Sequence, residues 1–136
     1  MADAGESLSE RAEFYQTLGL RVVTALDGVA TVDMPDATGF RNSRGDIHGG
    51  AVLSLADVAA SNAVRSRLGP GDGLATLSVT MNFARPARAP AQAVGQVVSV
   101  GGRTAFAQVD VWSGGEIVAN GVATIRLFRA ATGDRG

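Results

Sequence analysis

The chain of 136 residues has no cysteine, no lysine and a single histidine, His48. Each absence closes a class of chemistry. Without cysteine there is no disulfide, thiol nucleophile or thiolate metal site. Without lysine there is no Schiff base and no lysine general base; all 12 cationic side chains are arginine. One histidine cannot build a multi-histidine site within a chain, so no metal is expected and no cofactor is invoked. With a net charge of -1, nothing in the total points to nucleic acid. No apolar run reaches the length of a membrane span. Met1 to Glu10 is small, polar and acidic, lacking the basic start and apolar core of a secretory signal, so the expected location is cytoplasmic.

What is present fits one globular domain over residues 1–136, with 46% hydrophobic and 18% charged residues. Its ends read as an N-terminal helical segment, 1–19, and a loose tail, 130–136. Ser9 to Leu18 has helix signals: Ser9 as N-cap, Glu10 in the first turn, Gly19 past the end, and Phe14 and Leu18 as the inward face. Leu20–Leu26 and Val29–Met34 read as strands joined by an Asp27-Gly28 hairpin turn. Pro35 to Ile47 is a polar loop, of a length that is often functional.

The segment after that loop organises the chain. Ala51, Val52, Leu53, Leu55, Ala56, Val58, Ala59, Ala60, Ala63 and Val64 predict a helix that is apolar nearly all round, hence buried on most sides. Ser54, Asp57, Ser61 and Arg65 follow at steps of three and four, which puts them on one stripe. A carboxylate in such a helix needs a partner or a use. Asp57 therefore either pairs with Arg65, caps a loop, or lies in a cleft as a reacting group. Ahead of it, His48-Gly49-Gly50 forms a helix start whose free N–H groups suit an anion or an oxyanion.

The rest reads as long strands with tight turns. Leu74–Phe83 alternates, Leu77, Val79, Met81 and Phe83 on one face, Thr76, Ser78, Thr80 and Asn82 on the other. Ala91–Val100, Arg103–Trp112 (Ala105, Ala107, Val109 and Val111 on one side) and Glu116–Phe128 follow, with turns at Gly101-Gly102 and Ser113-Gly114-Gly115. The pattern is α+β: a curved antiparallel sheet around one long helix.

Taken together, Asn42-Ser-Arg-Gly45-Asp-Ile-His48-Gly49-Gly50, Leu55-Ala-Asp57 and Val79-Thr-Met-Asn82-Phe-Ala-Arg85-Pro86 resemble the hotdog-fold acyl-CoA thioesterases, nearest the phenylacetic-acid-degradation (PaaI-like) subgroup. The similarity runs in element order from about Gly19 to Phe128. It implies a hotdog fold, an acyl-CoA substrate, and homodimers formed by joining two sheets edge to edge, paired further into homotetramers. It also implies active sites at the dimer seam, where one chain gives the loop and helix start and the other gives the acid. Asp57 takes the place of the family's nucleophile or general base, and Gly49 that of the N–H polarising the carbonyl. Asn42 and His48 match residues that hold the thioester region and the loop, and Ser78 matches a hydroxyl that orients water or the acid.

Each residue also has a plainer reading. His48 organises the turn by bonding backbone, Asn42 makes an Asx-turn, Ser78 faces solvent, and Gly49 and Gly50 only turn the chain. Gly50, Arg85, Arg88 and Arg103 are candidates for substrate contact, since arginine's planar fork suits the phosphates of CoA, or else they are ordinary surface groups. Two rival functions stay open: a hotdog module that binds acyl-CoA without hydrolysing it, and an enoyl-CoA hydratase or dehydratase. The latter needs a histidine on the helix, and this helix has none.

Overall fold

The computed structural model describes residues 12–131. A short helix, α1 (Glu13–Leu18), leads into the hairpin β1 (Arg21–Leu26) and β2 (Val29–Met34). The long helix α2 (Gly49–Arg65) follows, then β3 (Gly73–Phe83), β4 (Ala91–Val100), β5 (Thr104–Ser113) and β6 (Glu116–Phe128). The strands form one six-stranded sheet in the order β1-β2-β4-β5-β6-β3, and every neighbouring pair is antiparallel. Both residues of the Asp27-Gly28 turn have positive φ, 51° and 85°, the geometry that twists a two-residue hairpin correctly. The sheet curves around α2, which makes this the expected α+β hotdog architecture.

Small residues let the helix come close. On β5, Ala105, Ala107, Val109 and Val111 all face inward and are buried. On β4 the inward positions are Ala91, Ala93 and Gly95, all buried, and Gly95 lies against Ala59 and Ala60 of α2, also buried. A Cβ on Gly95 would stand 2.5 Å from the Ala59 carbonyl oxygen, so the helix backbone rides directly on β4. Larger side chains fill the space around this contact, among them Met34, Leu55, Val58 and Ile125. The helix is thereby held rigidly over the sheet's centre. That rigidity fixes the positions of its first turn and of Asp57 relative to each other.

The structure departs from the sequence pattern at four places. Helix α1 begins at Glu13 with Ala12 at its N-cap; the expected capping residues Ser9 and Glu10 lie outside the described residues. Gly19 ends the helix at φ 68°, as expected. Leu18 docks into the core, but Phe14 is 59% exposed and Tyr15 turns inward instead. In so short a helix, docking of Leu18 selects the i−3 neighbour, not i−4. In α2, Leu53 is exposed in the single chain, so the apolar surface is not closed all round. On β3 the alternation breaks at a bulge between Thr76 and Ser78. Thr76 faces Ile125 and Val79 faces Ala123, both buried positions of β6, so the extra residue, Leu77, is left outside at 62% exposure. Finally, Ala130, expected to open a loose tail, is held in place: its N–H donates to Asp72 Oδ1 at 2.8 Å, beside Arg129, which donates to the carbonyls of Gly101 and Gly102; the rest of that tail, 132–136, lies outside the described residues.

Candidate active site

The first turn of α2 is capped by a histidine. The Gly50 N–H donates to His48 Nδ1 at 2.9 Å, which puts the ring proton of the neutral imidazole on Nε2. The N–H groups of Ala51 and Val52 both donate to the His48 carbonyl, at 2.8 and 3.1 Å. A helix start has four N–H groups without intrahelical partners, here those of His48, Gly49, Gly50 and Ala51. The His48 N–H donates to the Phe40 carbonyl at 2.7 Å, His48 takes those of Gly50 and Ala51, and among the described residues the one on Gly49 has no acceptor. Gly49 borders a cleft of about 270 Å³ whose walls include Asn42, Asp46, Val52, Phe83 and Arg85. A second cleft, also about 270 Å³ and mostly apolar, lies on the other flank of the same turn between Phe14, Leu18, Phe40, His48 and Ala51.

Asp57 stands half-exposed on the third turn. It is not paired with Arg65: the described ion pairs do not include it. Arg65 is half-buried with an unsatisfied Nε, and its burial lowers the guanidinium's pKa. The partners of Asp57 are hydroxyls. Thr76 Oγ1 donates to Oδ1 at 2.6 Å, and the Tyr15 phenol donates to Oδ2 at 3.3 Å. The Tyr15 pKa is raised, first by burial, then by the Asp57 charge and the hydrogen bond to it, so the phenol stays protonated as a donor at neutral pH.

Other expected residues fall into place differently. Asn42 is an Asx-turn residue: its Oδ1 accepts from the N–H groups of Arg44 and Asp46, at 3.0 and 3.1 Å. It still lines the Gly49 cleft. Ser78 is exposed on the outer face opposite Thr124, beyond the bulge, and does not reach Asp57; the bulge delivers Thr76 in its place. Arg88 is tied to Asp46, Nε to Oδ1 at 3.2 Å, with Arg44 at 3.7 Å from the other oxygen. Asp46 itself is only 4% exposed. Arg85 lies at the cleft beside Gly49 and pairs loosely with Glu116 at 3.9 Å. Arg103 is exposed on the β4–β5 turn. Its carbonyl accepts from Leu127, near the Gly73 end of β3, whereas Gly49 sits near the Phe83 end. Within one chain, Arg103 therefore does not join the helix start.

Two groups escaped the sequence reading. Thr76 looked like one more residue of an outer polar face, and no local signal marks the bulge that turns it inward. Tyr15 lies 42 positions before Asp57, and only the docking of α1 brings them together. Its being the chain's single tyrosine was the one available hint. Gly49 and Asp57 are eight positions apart on one helix, about 12 Å along its axis at ~1.5 Å per residue. Asp57 borders neither cleft beside the first turn. Among the described residues no cluster of three or more metal-ligating side chains occurs, and no helix is long and apolar enough to cross a membrane.

Comparison with known proteins gives the family and the fold. Residues 44–119 match the sequence profile of the Thioesterase superfamily. The chain is 32% identical over 124 residues to an esterase candidate of Halobacterium salinarum, covering 82% of each protein. Its fold matches a conserved Pseudomonas aeruginosa protein, PA5202, with TM-score 0.81 and 33% identity over 86% of this chain and 94% of the other. It also matches a variant of the phenylacetic acid degradation protein PaaI of Thermus thermophilus, with TM-score 0.74 and 32% identity over 88% of this chain and 100% of that one.

Proposed function

The chain belongs to the Thioesterase superfamily, and from that premise we propose that it hydrolyses acyl-CoA thioesters to a carboxylic acid and free CoA. The observation that carries this is the unspent N–H of Gly49, a residue bordering a cleft, at a helix start whose other free donors are taken by His48 and Phe40. Such a donor, backed by the helix dipole, stabilises the oxyanion that forms when a thioester carbonyl is attacked. Asp57 supplies the other half. It either takes a proton from water as water oxygen bonds to the carbonyl carbon, or attacks that carbon itself and is freed by water in a second step. In both routes the C–S bond breaks and CoA leaves as thiolate, which then takes up a proton.

One carbonyl cannot meet two groups on the same rigid helix about 12 Å apart. The reading therefore requires two copies of the chain, Gly49 of one facing Asp57 of the other. Edge strand β3 offers the means: among the described residues it lacks a neighbour on one side, and it carries Thr76, the partner of Asp57. Pairing of two β3 edges gives the homodimer, and dimers pair further into a homotetramer. The arginines at the Gly49 cleft, Arg44 and Arg85, and the adjacent Arg88 suit the phosphates of CoA.

The test is a panel of aryl, arylacetyl and medium-chain acyl-CoAs with a thiol-detecting reagent, run on the wild type and on Asp57→Asn. Thiol release that depends on Asp57 supports the proposal; tight acyl-CoA binding without release over hours shows a binding module instead. Co-expression of Asp57→Asn chains with Gly49→Pro chains tests the seam. Mixed dimers carry one seam with both groups intact and should recover activity that neither variant has alone.

A further inference from the structure

We propose that Tyr15 is a positioning residue of the reaction centre, holding the Asp57 carboxylate by Oδ2 while Thr76 holds it by Oδ1. The geometry is a clamp of two hydroxyls from two different elements on one side chain: 2.6 Å from β3 and 3.3 Å from α1. A carboxylate has about four acceptor sites, so two remain for water or for the approaching carbonyl. The short Thr76 bond ties up Oδ1 more firmly. Oδ2, with the longer bond, is the freer oxygen and the one that reacts, and Tyr15 sets its direction. This makes α1 part of the centre and not merely a lead-in to the sheet. Leu18 and Leu20 anchor the helix in the core, and the αL turn at Gly19 aims its inward face at α2. Phe14 and Leu18 of the same helix also wall the apolar cleft that His48, Gly50 and Ala51 line at the start of α2.

The catalytic consequence rests on the proposed thioester hydrolysis, but the contact can be tested without turnover. Tyr15 is the chain's single tyrosine, so phenolate absorbance during an alkaline titration reports this residue alone. In the wild type its midpoint should lie above the ordinary tyrosine value of about 10. In Asp57→Asn the midpoint should fall, because the negative charge and its hydrogen bond are gone, yet stay above the ordinary value because burial remains. Identical midpoints in the two proteins would overturn the proposal. Where the wild type turns over acyl-CoA, Tyr15→Phe keeps the ring and removes only the donor; kcat should drop roughly five- to tenfold, with KM and melting temperature little changed. An unaltered kcat, or a change in KM alone, would equally overturn it. A wild type without thioesterase activity would defeat the functional reading while the titration still decides whether Tyr15 holds Asp57.

Discussion

The first and third turns of α2 each present one polar group, and they do so by opposite means. At the first turn the group is backbone. His48 takes up the N–H groups of Gly50 and Ala51 and leaves that of Gly49, which borders a cleft, without an acceptor among the described residues. At the third turn the group is a side chain, and hydroxyls from distant elements hold it in place without neutralising it. The first turn is built from consecutive residues, His48 to Val52. The third needs Tyr15, Asp57 and Thr76, spread over the domain. A donor made of backbone is insensitive to most substitutions, whereas a clamped carboxylate depends on every element that clamps it.

That contrast can be broken at each end. Asp57→Asn removes the charge and keeps the shape, and it should give the largest loss, about 10²–10⁴-fold in kcat, with the melting temperature nearly unchanged. Gly49→Pro is the backbone counterpart. Proline suits the first position of a helix, His48 already has the extended ψ of 137° that a residue before proline prefers, and a Cβ there meets nothing nearer than Phe83 at 3.8 Å. The one thing lost is the N–H, so kcat should fall about 10²–10³-fold in a stably folded protein.

Smaller effects sharpen the difference. Thr76→Val takes one hydroxyl from Asp57 while keeping a β-branched side chain, and should lower kcat about tenfold. Ser78→Ala, two positions along the same strand, should leave kcat unaltered in the same assay. Loss of activity in Ser78→Ala with none in Thr76→Val would overturn Thr76 as the partner of Asp57. Smallest is the cap itself. His48→Ala should cost about 1 kcal/mol and a melting temperature lower by a few degrees, and His48→Asn should restore most of that, since asparagine caps well.

The contrast between β5 and β3 shows why some of this was legible and some was not. In β5 every second residue is small and apolar, the strand is regular, and all four expected inward positions are buried. In β3 the same logic assigned Thr76 to the outside and Leu77 to the inside, and the bulge reversed both. Periodicity reports packing, and a bulge is an exception to packing that costs one residue of register. The first turn was readable because its parts are adjacent: His48, Gly49 and Gly50 name a tight helix start. The arrangement of Asn42 around the backbone of Arg44 and Asp46 is local too, though it proved to shape the loop.

By itself, the sequence determined the helix with its acid, the strand pattern, the hairpin turn and the excluded chemistries. Each of these depends only on neighbours along the chain or on composition. Tertiary structure alone decided what Asp57 touches, because a hydrogen bond is satisfied by proximity in space. Whether Arg65, Ser78, Thr76 or Tyr15 came within reach depended on a bulge in β3 and on the way Leu18 docks α1, and neither can be counted off from residue spacing.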